Sequence, residues 1–316
     1  MNRSSADLSD NWQKESCAVL RIRKTESTTP VQRAAPITDT LEESLMNDTV
    51  LEAKDISLVF PDVTALSHVN FSILTGEIHA LVGANGAGKS SLMKVLAGAK
   101  PTYTGDIFLN NKKIEIRSPA AAKKFGIQIV YQEVDTALIN SLSVAENIML
   151  NDMIINMHHR QFINWSAINK SAKSMLNRLK IDLDVRRQVQ TLSLAQKQMV
   201  LIARAIQSSC KFLLLDEPTA PLSTTETEDL FATVRNLVRQ ENIAVVFISH
   251  MINEILQICI KYTVMRNGEI VADRPVTSQT STKSVIEEML GRPFEEEYRV
   301  PKRNVGDKAF IVNDLT

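Results

Sequence analysis

Eight residues constrain this chain more than any other feature. Gly83-Ala84-Asn85-Gly86-Ala87-Gly88-Lys89-Ser90 fills every fixed position of the pattern G-x-x-x-x-G-K-S/T. The short apolar run Ile78 to Val82 precedes it, and Leu92, Val95 and Leu96 follow on one face of a helix that ends near Gly98. A strand, a small-residue loop and a helix in that order let backbone amides wrap an anion at a helix N-terminus. Lys89 is placed to neutralise the β- and γ-phosphates of a nucleotide, and the Ser90 hydroxyl to ligate Mg²⁺. Ser91 follows as a further nucleotide-binding residue. The loop points to nucleoside triphosphate binding and leaves open which nucleotide, and for what.

The rest of the pattern is α/β. Leu51, Ala53, Ile56, Leu58 and Phe60 predict a strand with one irregularity, and Val69, Phe71 and Ile73 a second, half-buried strand. Asn110-Asn111 and Asn267-Gly268 predict hairpin turns. Phe212 to Leu215 and Val245 to Ile248 are apolar runs suited to buried parallel strands. The stretch 125–208 reads as mostly helical, with a capping box at Ser143 and Glu146. Residues 1–48 are polar and aperiodic and predict a disordered extension. The charged, proline-containing stretch 292–308 predicts a linker. Phe310-Ile311-Val312-Asn313-Asp314-Leu315-Thr316 faintly echoes Leu51 to Ser57.

Composition removes some function classes. Lys plus Arg and Asp plus Glu each number 36, with no long basic run, which argues against a nucleic-acid partner. Cys17, Cys210 and Cys259 have no paired spacing, which argues against zinc and disulfide frameworks. No stretch approaches the roughly 18 apolar residues of a membrane span.

Phe212-Leu213-Leu214-Leu215-Asp216-Glu217 is an apolar strand ending in two carboxylates. Asp216 is placed to hold Mg²⁺ and Glu217 to polarise an attacking water. Asp216-Glu217-Pro218-Thr219 resembles the Walker B segment of ATP-binding-cassette (ABC) proteins. Four other sites resemble that family, in the right order. Gln132 in Val130-Tyr131-Gln132-Glu133 is similar to the family's Mg²⁺-contacting glutamine, and Leu192-Ser193-Leu194-Ala195-Gln196 takes the place of its LSGGQ motif. His250 resembles the switch histidine, and Phe60 the aromatic ring set against adenine. Singly, Gln132 is a surface amide, His250 a strand-end histidine and Phe60 a core residue. Ser193 with Gln196 is also a capping box. Joint occurrence in order carries the resemblance.

The resemblance implies a P-loop NTPase core with a parallel sheet, an antiparallel β subdomain and an inserted helical subdomain at about 125–208. It implies ATP and Mg²⁺ as cofactors. Phe60, Gly83 to Ser91, Gln132, Ser193, Ala195 and Gln196 would bind nucleotide. Ser90, Gln132 and Asp216 would hold the metal, and Glu217 and His250 would act in hydrolysis. Gly76-Glu77-Ile78-His79-Ala80-Leu81, Ser143-Val144-Ala145-Glu146-Asn147, Ala195-Gln196-Lys197-Gln198-Met199-Val200 and Gly291-Arg292 resemble the first cassette of ribose, galactose, xylose or autoinducer-2 import ATPases. On that resemblance 49–291 is one cassette and 309–316 the start of a second, missing one. Partners would be that second cassette or another copy, transmembrane permease subunits and, indirectly, a periplasmic sugar-binding protein, at the cytoplasmic face of the inner membrane. Two departures stand out. Leu194 and Ala195 replace both glycines of LSGGQ, and Ala220-Pro221-Leu222-Ser223 lacks the aspartate common in the next loop. The alternatives are an inactive nucleotide-binding fragment and a cassette ATPase outside transport.

Overall fold

Apolar runs buried on both faces need a sheet covered on both sides. A computed structural model, which describes residues 49–61, 63–156 and 163–293, shows how this chain covers them. The chain begins with β1 (Val50–Phe60), β2 (Val63–Leu74), β3 (Ile78–Val82), α1 (Lys89–Leu96), β4 (Thr104–Leu109), β5 (Lys112–Ile114), α2 (Pro119–Lys124) and β6 (Ile127–Val130). A helical stretch follows with α3 (Val134–Ala137), α4 (Val144–Asn156), α5 (Trp165–Arg178) and α6 (Leu194–Ile206). The remaining elements are β7 (Phe212–Asp216), α7 (Thr224–Glu241), β8 (Ala244–Ile248), α8 (Ile252–Ile258), β9 (Lys261–Arg266), β10 (Glu269–Pro275) and α9 (Thr282–Leu290).

Two sheets result. One is antiparallel, in the order β2-β1-β4-β5. The other runs β10-β9-β3-β8-β7-β6, with β9 through β6 parallel and β10 antiparallel at its edge. Alternate residues of the parallel strands feed two cores. Leu213, Leu215, Val245 and Phe247 pack with α6 and α7 residues such as Val200 and Phe231. Phe212, Leu214, Val246 and Ile248 pack with Leu92, Val95 and Leu96 of α1 and with Leu51, Ile56 and Ile73 of the antiparallel sheet. Each fully buried large side chain contributes about 1.5–3 kcal/mol. α1 is thus clamped in the core between the two sheets, which fixes where its N-terminus lies.

Local signals act as expected. Asn110 and Asn111 take φ of 50° and 61°, and Asn267 and Gly268 take 52° and 82°, the left-handed pairs of tight hairpins. The irregularity in β1 falls between Ala53 and Ile56, where Asp55 has φ 56°, and the β1–β2 pairing shifts twice more before Phe60. The Ser143 hydroxyl accepts the Glu146 N–H at 3.2 Å, and the Glu146 carboxylate accepts the Ser143 N–H at 2.7 Å. The described residues of 125–208 are mostly helical, with a strand among them. β6 lies inside that stretch and pairs with β7 across a gap of more than 80 residues, so periodicity alone does not separate it. Residues 1–48 and the echo at Phe310 to Thr316 lie outside the described residues, as does most of 292–308.

His79 on β3 is wholly buried. Its Nε2 lies 2.7 Å from Thr263 Oγ1, and its ring meets Phe71 at 5.0 Å between centroids. Burial, with Lys261 nearby, lowers its pKa to about 4, so it is a neutral core histidine.

Candidate functional site

Parallel strands end at the same edge of their sheet, so the loops that follow them meet there. β3, β8, β7 and β6 are neighbours in the sheet. The loops after them carry Gly83–Gly88, Ser249–His250, Glu217 and Tyr131–Gln132. Four motifs spread over more than 160 residues therefore face one another.

The phosphate-type loop is shaped by close backbone approach. A Cβ on Gly83 would stand 2.3 Å from the Met265 carbonyl oxygen, and one on Gly88 2.7 Å from that of Ala65. Both positions also need positive φ, 153° and 105°, which only glycine adopts without strain. The tip at Ala84, Asn85 and Gly86 is exposed, whereas Ala87 is buried and its carbonyl accepts the Gly268 N–H at 3.0 Å. Lys89 folds back so that Nζ donates to the carbonyls of Gly83 at 2.8 Å and Ala84 at 3.1 Å. Burial pushes its pKa down, against the pull of the Glu217 and Asp216 carboxylates.

Asp216 sits at the end of β7. Burial pushes its carboxyl up, offset by a hydrogen bond from the Ser90 hydroxyl, while Glu217 pushes it further up and Lys94 and Lys89 pull it down. A half-buried carboxylate beside a hydroxyl suits a divalent cation, whose charge would offset the burial. Mg²⁺ takes such oxygen donors together with water and substrate phosphates rather than an all-protein cage. Among the described residues no cluster of three His, Cys, Asp or Glu forms such a cage. The donor set therefore fits a hydrated Mg²⁺ carried with a nucleotide.

Glu217 is the meeting point. Gln132 Nε2 donates to its Oε2 at 3.2 Å, and His250 Nδ1 lies 3.5 Å from the same oxygen. Its N–H donates to the Ile248 carbonyl at 3.1 Å, and its φ is 48°, a strained value for a side chain this size. Tyr131, next to Gln132 in the chain, has its pKa raised by burial and by Asp216.

The other expected residues lie apart from this group. Phe60, half-buried at the end of β1, carries the Lys100 ammonium 5.2 Å from its ring centroid. Ser193 and Gln196 form a closed capping box at the start of α6. With Ala195 they line a cleft of about 830 Å³ shared with the Ile181–Leu183 segment and with Glu226, Arg235 and Arg239 of α7. Leu194 is 43% exposed, whereas Ala195 is buried. α6 is bound to the segment after Gln132: Lys197 Nζ donates to Asp135 at 2.5 Å, and Arg204 to the Ala137 carbonyl at 2.8 Å. The sequence reading missed this tie, along with Tyr131, Lys94 and a buried hydroxyl–carboxylate group at Thr219, Ser249 and Glu254. Glu254 has one signal in sequence, a carboxylate one helical turn after His250.

Residues 66–220 match the family model described as ABC transporter. Over 252 residues the chain is 40% identical to a putative ribose/galactose/methyl galactoside import ATP-binding protein of Burkholderia cenocepacia, covering 80% of this chain and 48% of that protein. It is 35% identical over 273 residues to a xylose import ATP-binding protein of Geobacillus kaustophilus, covering 85% of this chain and 52% of that protein. The chain thus spans about half the length of the curated relatives it matches. A crystal structure of the ADP conformation of an ATP-binding cassette of an ABC transporter superposes with a TM-score of 0.66 at 25% identity, covering 77% of this chain and 99% of that one. Its two sheets, its glycine-bounded loop and these likenesses agree: residues 66–220 match the ABC transporter family, and they do so on the fold of an ATP-binding cassette.

Proposed function

We propose that this chain is the ATP-binding and ATP-hydrolysing part of an importer for a simple sugar or a sugar-like signal. The observation that carries the reading is the convergence of Lys89, Asp216, Gln132 and His250 on Glu217 at one sheet edge. Lys89 and the amides of Gly83 to Ser91 bind the phosphates, and Phe60 stacks on the base once Lys100 gives way. Ser90, Asp216 and Gln132 hold Mg²⁺, which when bound neutralises phosphate charge. Glu217 orients and deprotonates the attacking water, and His250 steadies Glu217 and the phosphate end. Ser193, Ala195 and Gln196 serve the nucleotide of a second cassette, with which this chain forms composite sites. Residues 49–291 form this chain's own cassette. The helical stretch docks on transmembrane permease subunits at the cytoplasmic face of the membrane, and a sugar-binding protein delivers the cargo to them. The two relatives named above, both sugar-import ATP-binding proteins, support the cargo class. Among the described residues no helix is long and apolar enough to cross a membrane.

Turnover of Mg-ATP and light scattering test the reading, with and without a separately expressed second cassette from a sugar-import relative. The chain alone turns over slowly and stays monomeric, and the added cassette raises both turnover and association. A fast, tight homodimer without it makes the chain a complete single-cassette subunit. Silence under both conditions makes it a non-hydrolysing fragment.

A further inference from the structure

Glu217 and His250 stand on loops after different strands, joined at the sheet edge by the Glu217 N–H to Ile248 carbonyl bond, and beyond that bond the two loops still have to be held together. A buried carboxylate holds them. Glu254 on α8 is 8% exposed, and its Oε2 accepts hydrogen bonds from Thr219 Oγ1 and from Ser249 Oγ, both at 2.7 Å. Thr219 lies two residues after Glu217, and Ser249 immediately precedes His250. Both donors are buried. The Ser249 oxygen also accepts the Met251 N–H at 3.0 Å, and the Glu254 N–H closes on the Met251 carbonyl at 3.0 Å. The loop around His250 is therefore wound about this carboxylate. Beside it, Glu217 holds a positive φ that a non-glycine residue keeps only where its surroundings over-determine it.

We infer that Glu254 is a positioning residue of the nucleotide site, clamping the loop after Asp216–Glu217 to the loop of His250 and so setting the Glu217–His250 approach. The inference rests on the reading of Glu217 and His250 as the hydrolytic pair. Both hydroxyls donate to the same oxygen of Glu254. A glutamine carbonyl oxygen can accept both, whereas alanine accepts neither and leaves two buried O–H donors without this acceptor.

The test uses the full chain in excess over labelled Mg-ATP, so that a single slow turnover is measurable. Nucleotide affinity is measured by calorimetry on the same samples, together with the melting temperature. Glu254→Ala slows hydrolysis about 10²-fold, the cost of a small misplacement of catalytic groups. Its nucleotide Kd stays within about threefold, because the phosphate loop is untouched. Glu254→Gln restores hydrolysis to within about fivefold of wild type, since it keeps both hydrogen bonds. Should Glu254→Ala not fold, Thr219→Val removes one donor and leaves the carboxylate, and it slows hydrolysis about tenfold at unchanged affinity. Wild-type rates in Glu254→Ala, or in Thr219→Val where that variant stands in, overturn the inference. So does a glutamine variant no better than alanine, or a loss of rate matched by an equal loss of affinity. Glu217→Gln run alongside separates the two claims. If it hydrolyses like wild type, or if wild type itself does not hydrolyse, the site reading falls and takes this inference with it. If it is inactive while Glu254→Ala is active, only the clamp is wrong.

Discussion

Two helices of this chain begin in opposite ways. α1 starts after Gly88, with no side chain capping its first turn and no acidic residue in it. α6 starts after Ser193, whose hydroxyl accepts the Gln196 N–H while Gln196 Oε1 accepts the Ser193 N–H, both at 3.2 Å. Every helix leaves its first amides without intrahelical partners and carries partial positive charge there. α6 satisfies part of that demand internally, as α7 does at Ser223 and α9 at Ser281. α1 leaves it open and adds the Lys89 ammonium, held by the carbonyls of its own loop. An uncapped start that the core clamps in place leaves its first amides open to an anion from outside. A capped start serves the fold first, and a ligand arriving there must share its amides with a side chain already bound.

If that contrast is right, chemistry belongs to the open end. Glu217→Gln keeps nucleotide binding and slows hydrolysis by about 10²–10⁴-fold, the worth of a positioned base. Glutamine preserves shape and removes the charge that polarises water. Hydrolysis at the wild-type rate would move the base elsewhere, with His250 the next group in reach.

Affinity should be the next largest effect. Lys89→Ala weakens nucleotide binding about 10²-fold, since a charge-assisted contact with phosphate is lost. Calorimetry on the isolated chain decides it. Equal affinity would mean that the open start of α1 is not the nucleotide site, and the contrast with α6 would lose its meaning.

The smallest effect lies at the capped end. Ser193→Ala removes the hydroxyl that caps α6 and lowers stability by about 1 kcal/mol, read by urea unfolding. Nucleotide affinity of the isolated chain shifts less than tenfold, by about the scatter of a distant contact. A larger loss would show that both helix starts serve one nucleotide within a single chain, which would break the comparison.

Much of this was legible because it is local. The glycine-bounded loop, the capping boxes at Ser143 and Ser193, and the hairpins at Asn110 and Asn267 each depend on groups within a few residues. The candidate site residues Glu217 and His250 were legible for a different reason: each follows an apolar strand, so its type and place could be read together. What could not be read was what those residues touch. Gln132 and Glu217 are 85 positions apart, and no period links them. β6 hides among helices because four apolar-leaning residues fit either structure. Glu254 looks like any acidic residue in a helix's first turn until Thr219 and Ser249 are seen to donate to it.

The sequence by itself determined most of the elements, though not β6, together with the phosphate-type loop and the identity of the carboxylates at its side. Short-range hydrogen bonds and steric limits at glycine act before any long-range contact forms. Only the tertiary structure decided that β3, β8, β7 and β6 lie side by side, that four loops meet at Glu217, and that Lys197 ties α6 to the segment after Gln132. Strand neighbours are chosen through backbone hydrogen bonds, which are alike for every residue type, and through two shared cores that no single segment contains. The chemistry of the site was written in the letters, but its geometry exists only where the parallel strands end together.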